Sequence, residues 1–161
     1  MADENNDKFM ARAIELSRKA AIIDSSGGAF GTVIVKDGEI IGEGRNCVVA
    51  ENDPTWHGEI EAIRNACRDQ GTFNLEGATL YTSAEPCPMC LGATYWAGIK
   101  TVYYAANVED ALKYGNFDDS MIYDEIRKPM DQRSMKLTQI MRPEAVEVWK
   151  EYAAKTDKIQ Y

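Results

Sequence analysis

The sequence predicts a layered α/β fold built on one mixed sheet. Two observations carry this: β-prone runs alternate with amphipathic helical stretches along the chain, and the first two such runs flank a tight turn, Lys36-Asp37-Gly38. Runs joined through a helix pair in parallel and a hairpin pairs antiparallel, so both kinds of ladder are expected in one sheet. At 161 residues, a single domain spanning 1–161 is expected.

Asp7 to Ile23 sets Phe9, Ala13, Leu16 and Ala20 at spacings of three and four, with charges between them, as a helix covering a sheet face would. Ser25 to Gly31 reads as a loop, and Thr32-Val33-Ile34-Val35 and Glu39-Ile40-Ile41-Gly42 as the hairpin strands. Asn52-Asp53-Pro54 is a turn or cap signal. From Glu59 onward Ile60, Ala62, Ile63, Ala66 and Cys67 keep helical periodicity up to Gly71, so His57 and Glu59 open a helix. Ala78 to Ser83 reads as a strand ending before Glu85-Pro86, and an apolar helix opened by Cys87 and Cys90 runs from Pro88 to Ala97. Thr101 to Ala105 is a further strand, Lys136 to Ile140 a later one, and Pro143 to Ala154 a closing helix. Glu109 to Asp131 is polar and turn-rich, and supports only a loop entering a helix.

With 45% apolar and 27% charged residues the chain can bury a core. No apolar run approaches the roughly 20 residues of a membrane helix. The start, Met1-Ala2-Asp3-Glu4-Asn5, is acidic where a secretory signal would be basic and then apolar, so a soluble cytoplasmic protein is expected. A net charge of -8 and a pI near 4.7 disfavour a nucleic-acid partner, which would be gripped by clustered Lys and Arg. Lys150, Lys155 and Lys158 gather near the C-terminus, but Glu151 and Asp157 are interspersed, as on a solvated helix face. Of the four cysteines, Cys47 and Cys67 lie far from the close pair, and reduced thiols are expected.

The chemistry is concentrated in two motifs. The only histidine stands in His57-Gly58-Glu59, and Pro86-Cys87-Pro88-Met89-Cys90 begins 27 residues beyond Glu59. One neutral imidazole and two thiolates make a zinc site whose fourth position is open to water or hydroxide, as in catalytic rather than closed structural zinc. Zinc lowers the pKa of bound water to about 7, which hydrolytic deamination of a heteroaromatic amine requires. Glu59, two residues from His57, is the candidate catalytic acid and base, taking the water's proton and later protonating the departing amine. The joint pattern, H-x-E followed by P-C-x-x-C, is that of zinc nucleobase deaminases. Taken alone, Cys87-x-x-Cys90 would also suit a redox dithiol at a helix N-terminus. A closed structural zinc would need Cys47 or Cys67 as a fourth ligand, and neither has a partner at ligand spacing.

Beyond these motifs the chain resembles the cytidine and deoxycytidylate deaminase superfamily, and within it the small bacterial guanine deaminases. The resemblance covers nearly the whole length. It is carried by Gly27-Gly28-Ala29-Phe30-Gly31 before Val33-Ile34-Val35-Lys36-Asp37-Gly38, by Asn52-Asp53-Pro54-Thr55, and by Thr82 through Ala93. Phe117-Asp118-Asp119-Ser120 and the terminal Tyr161 match the guanine deaminase branch in particular.

The resemblance implies a cytidine deaminase-like three-layer α/β/α sandwich around a mixed five-stranded sheet. It also implies a homodimer that exchanges C-terminal segments, with Tyr161 capping the partner's site. Asn46 and Asp119 would hydrogen-bond a purine, Phe30 would pack on its face, and guanine would leave as xanthine and ammonia. An amide can donate and accept at a base edge, a carboxylate can accept from ring N–H groups, and an aromatic ring can stack. Read from the residues alone, Asn46 would equally end the hairpin, Phe30 fill the core, Asp119 cap a helix and Tyr161 lie free.

The chain departs from that branch at Gly58, usually alanine, at Trp56, usually small, at Ala29, usually proline, and at the additional Asn116. His-Gly-Glu is also the form of fungal cytosine deaminases. Cytosine, guanosine and triazines are therefore alternative substrates, and the tRNA adenosine deaminases share the zinc motifs.

Overall fold

The structure, a computed structural model, describes residues 4–160, which divide after Asp119 into two compact units. In the first unit α1 (Glu4–Arg18) continues through one wider π turn, Lys19–Ile23, so the expected helix is present with its last turn rewound. β1 (Gly31–Lys36) and β2 (Glu39–Arg45) follow as the hairpin. Its two-residue turn places Asp37 and Gly38 at φ 52° and 81°, the left-handed pair that matches strand twist and that Asp-Gly adopts readily.

A short helix α2 (Val48–Glu51), not expected, ends at Asn52 in a left-handed cap. α3 (Gly58–Gln70) ends at Gly71, β3 is Thr79–Ala84, α4 is Pro88–Trp96 and β4 is Thr101–Ala106. These lie within one or two residues of the boundaries expected from sequence, because each is bracketed by a turn or cap residue.

The sheet order is β2-β1-β3-β4. β1 pairs antiparallel with both β2 and β3, and β3 pairs parallel with β4 across the α4 crossover, so the sheet is mixed as expected. Alternation along β1 and β3 builds two cores. Ile34 and Leu80 face Ala62 and Ala66 of α3, while Val33, Val35 and Tyr81 face Phe9 and Leu16 of α1. Helices on both faces explain why β1 is buried along nearly its whole length and reads as a continuous apolar run.

The five-stranded sheet is corrected to four strands among the described residues. Lys136 to Ile140 forms no ladder. Its apolar residues Leu137 and Ile140 are three apart, so they share no strand face, and both are exposed. The region from Glu109 is more helical than expected: α5 (Val108–Gly115) precedes the 116–119 loop. Its start is an Asn107/Asp110 capping box, a signal already present in the sequence. The second unit comprises α6 (Ser120–Arg127), a 3-10 turn at Met130–Gln132, and α7 (Arg142–Ala154).

Candidate active site

Two helix N-termini meet beside the end of β3. His57 is the N-cap of α3, and Cys87 is the N-cap of α4 with Pro88 in the first turn. Proline suits that turn because its missing N–H would have had no helical partner. Cys90 lies one turn in and is buried, whereas Cys87 is half-buried. His57 Nδ1 lies 3.5 Å from the Sγ of Cys87 and 3.5 Å from that of Cys90.

A tetrahedral zinc at its usual bond lengths to sulfur and nitrogen separates S and N ligands by roughly 3.5 Å. The three side chains, with all ligand atoms within 4.8 Å of one another, fit that ion. The N-terminal ends of α3 and α4 add unpaired N–H groups that favour anionic sulfur. The Cys90 thiol, and then the His57 ring, hold Cys87 down to about 4 against its burial. Cys90 is pushed up by Cys87 and by burial. His57 is raised, first by its contact with Cys87.

Glu59, the second residue of α3, is 3% exposed. Its Oε1 accepts from Thr82 Oγ1 at 3.2 Å, and its Oε2 accepts from Cys90 Sγ at 3.4 Å. Burial pushes its carboxyl above the usual carboxylate range. A buried carboxylate shifted toward neutrality and adjacent to the metal donors is suited to proton transfer.

His57, Glu59 and Cys87 open onto a cavity of about 200 Å³ that is also lined by Phe30, Asn46, Phe117 and Asp119. The site residues expected within the first unit therefore converge, although Asn46 and Asp119 are 73 positions apart. Asn46 both ends β2 and lines the cavity: it is buried, and its Oδ1 accepts from Val48 N at 3.2 Å. Its amide N–H groups are then the ones available to a ligand. Phe30 is fixed against it, since Asn46 N donates to Phe30 O at 2.9 Å and Ser26 Oγ donates to Asn46 O at 2.7 Å. Asp119 is raised by burial first and then by the Cys87 thiolate. Tyr161 lies outside the described residues.

Sequence reasoning left Phe117 without a role in the site. Its ring meets Phe30 edge-on at 5.1 Å, and the two rings line both this cavity and a larger apolar one of about 580 Å³ beside it. Gly28 makes the approach possible, because a Cβ there would lie 2.8 Å from Phe30 and 2.9 Å from Phe117. Val48, Val49, Pro54 and Glu85 also line the site unexpectedly. No local spacing in the sequence signals them. Trp56 is not a cavity wall; Arg64 sits over its ring at 5.5 Å from the centroid. At Gly58 a Cβ would lie 3.2 Å from Phe30 O, so glycine lets the first turn of α3 approach β1 closely.

The chain belongs to the cytidine and deoxycytidylate deaminase family, whose zinc-binding region matches residues 3–106. It is similar to the guanine deaminase of Bacillus subtilis, with 47% identity over 95% of this chain and 99% of that one. The X-ray structure of guanine deaminase from Bacillus subtilis superimposes with a TM-score of 0.91, at 46% identity, covering 96% of this chain and 98% of the other. Guanine deaminase from Nitrosomonas europaea is more distant, at TM-score 0.65 and 30% identity over 96% of this chain and 87% of that one. A tRNA-specific adenosine deaminase of Haemophilus influenzae is 39% identical over 65% of this chain and 60% of its own.

Proposed function

We propose that the protein is a zinc-dependent aminohydrolase of a free nucleobase, converting guanine and water to xanthine and ammonia, with residues 1–161 acting as one deaminase domain. The observation that carries this is the 47% identity to the Bacillus subtilis guanine deaminase along almost the full length of both chains. The cavity chemistry supports it.

His57 Nδ1, Cys87 Sγ and Cys90 Sγ would hold the ion. Zinc, when bound, supplies the Lewis acidity that makes water a nucleophile at neutral pH. Asn46 donates its amide N–H groups to an acceptor on the base edge, Asp119 accepts from ring N–H groups, and Phe30 packs on the ring face. Glu59 takes one proton from water and gives it to a ring nitrogen, then takes the second from the hydroxyl added at the amino-bearing carbon and delivers it to the amine, which leaves as ammonia as that carbon becomes a carbonyl.

A homodimer with exchanged C-terminal segments, in which Tyr161 caps the partner's site, belongs to the same reading. Its support is apolar surface: β4 is a sheet edge exposing Tyr103 and Tyr104, α4 exposes Tyr95 and Trp96 at 75% and 73%, and α5 exposes Tyr114 at 78%. A cytoplasmic location is part of the same proposal; separately, no helix among the described residues is long and apolar enough to cross a membrane.

Ammonia release from guanine, guanosine, cytosine, adenine and a triazine tests the substrate. Guanine should be turned over fastest, and turnover of cytosine without guanine would overturn the purine assignment.

A further inference from the structure

Two threonines lie beneath Glu59, each next to an apolar core residue on the same strand face. Thr32 on β1 and Thr82 on β3 are directly opposed in the antiparallel ladder, and both are fully buried. They share their face with Ile34 and Leu80, which pack on α3. Thr32 Oγ1 donates to Thr82 Oγ1 at 3.1 Å, and Thr82 Oγ1 donates to Glu59 Oε1 at 3.2 Å. The hydroxyls thus form a two-step chain of donors that ends on one oxygen of a buried carboxylate.

Packing does not call for these hydroxyls. Valine has nearly the same shape, fits a pleated strand equally well, and carries no polar group to desolvate. What the hydroxyls add is direction. A donor in series with a second donor is polarised toward its acceptor and holds it more firmly than a single hydroxyl would. The tied oxygen is Oε1, and the other, Oε2, lies 3.4 Å from Cys90 Sγ on the side of the metal-ligand trio.

We infer that Thr82 is a positioning residue for Glu59: its hydroxyl, backed by Thr32, pins Oε1 so that Oε2 is the oxygen presented for proton transfer. This rests on the reading of Glu59 as the proton carrier. The two oxygens then have separate tasks, one anchoring the side chain and one exchanging protons between water, ring nitrogen and amine. An unanchored carboxylate would share its donors and rotamers between both oxygens and spend less time in the productive orientation.

The test is steady-state guanine deamination by Thr82→Val, Thr82→Ser, Thr32→Val and Glu59→Gln, with zinc content and melting temperature measured for each. Thr82→Val should lower kcat by roughly 10- to 100-fold, the range seen when an outer partner of a site residue is removed. KM should stay within threefold and zinc content unchanged, and Thr82→Ser should recover kcat to within fivefold of the parent. Thr32→Val should show a smaller fall of the same kind. A double variant combining Thr32→Val with Thr82→Val should be no slower than Thr82→Val, because both act through one hydrogen bond.

A fall in kcat of less than fivefold for Thr82→Val, a parallel rise in KM, loss of zinc, or failure of serine to restore kcat would overturn the inference. If Thr82→Val does not fold, Thr82→Ala against Thr82→Ser provides the same contrast. Glu59→Gln separates the two readings: if it retains activity, the proton-carrier role fails, and if it is inactive while Thr82→Val is normal, only the positioning role fails.

Discussion

Glu59→Gln is the most direct test of the chemistry. The amide is the same size as the carboxylate, and its carbonyl oxygen can still accept from Thr82 Oγ1, so the side chain should stay where it is. What disappears is a group that can take up and release a proton near neutral pH. Loss of a positioned acid and base is expected to lower kcat on the order of 10²- to 10⁴-fold. At about 1.36 kcal/mol per decade, that is roughly 3–5 kcal/mol of transition-state stabilisation. KM should change little, because Asn46, Phe30 and Asp119 line the cavity independently of residue 59.

Stability should not follow activity. Burial raises the Glu59 carboxyl in the folded chain, so the native state disfavours ionisation. The parent therefore loses stability as pH rises past the unfolded carboxylate value of about 4.3, and the neutral amide is spared that loss. The variant should melt no lower than the parent at pH 7. Ammonia release from guanine, zinc content and thermal melting, measured on the same preparations, check all three expectations. A zinc-replete variant that keeps more than a tenth of the parental kcat would refute the reasoning.

Gly28→Ala should weaken substrate binding, because the new Cβ must displace the Phe30 and Phe117 rings that it would meet at 2.8 and 2.9 Å. Overpacking of this kind costs roughly 1–3 kcal/mol of fold stability, read as a lower melting temperature, and a higher KM in guanine saturation curves with zinc content unchanged checks the effect on binding. Arg12→Met should lower stability in a pH-dependent way, since Arg12 grips Glu43 through two hydrogen bonds of 2.7 and 2.8 Å and holds its carboxyl below the ordinary range. A depressed carboxyl contributes stability above its unfolded pKa and loses it as pH falls through the folded value, so the gap between variant and parent in urea midpoint should be open at pH 7 and closing by about pH 3.

The elements that proved legible carry their own punctuation. The Asp37-Gly38 turn fixes the hairpin, Gly71 stops α3, and Pro88 starts α4, so the boundaries follow from backbone preferences within a few residues. The errors fall where punctuation and periodicity disagree or were passed over. Lys136 to Ile140 has β-prone residues but no shared face, and it forms no ladder among the described residues. Val108 to Gly115 sits in a polar stretch, and its capping box outweighs that composition.

The convergence of His57, Glu59, Cys87 and Cys90 could be anticipated from spacing, because all four side chains stand at helix starts and metal geometry restricts which residues can serve together. That much of the chemistry belongs to the sequence. The cavity beside them does not, since its walls come from the loop before β1, the end of β2, and the loop after α5, which only the packed sheet brings together. Phe117 becomes a wall through its edge-on contact with Phe30, and Thr82 becomes a partner of Glu59 because β3 lies beneath α3 in the layered core. Local preferences encode elements and ligand spacing, whereas contacts between residues tens of positions apart depend on how burial of both sheet faces aligns those elements.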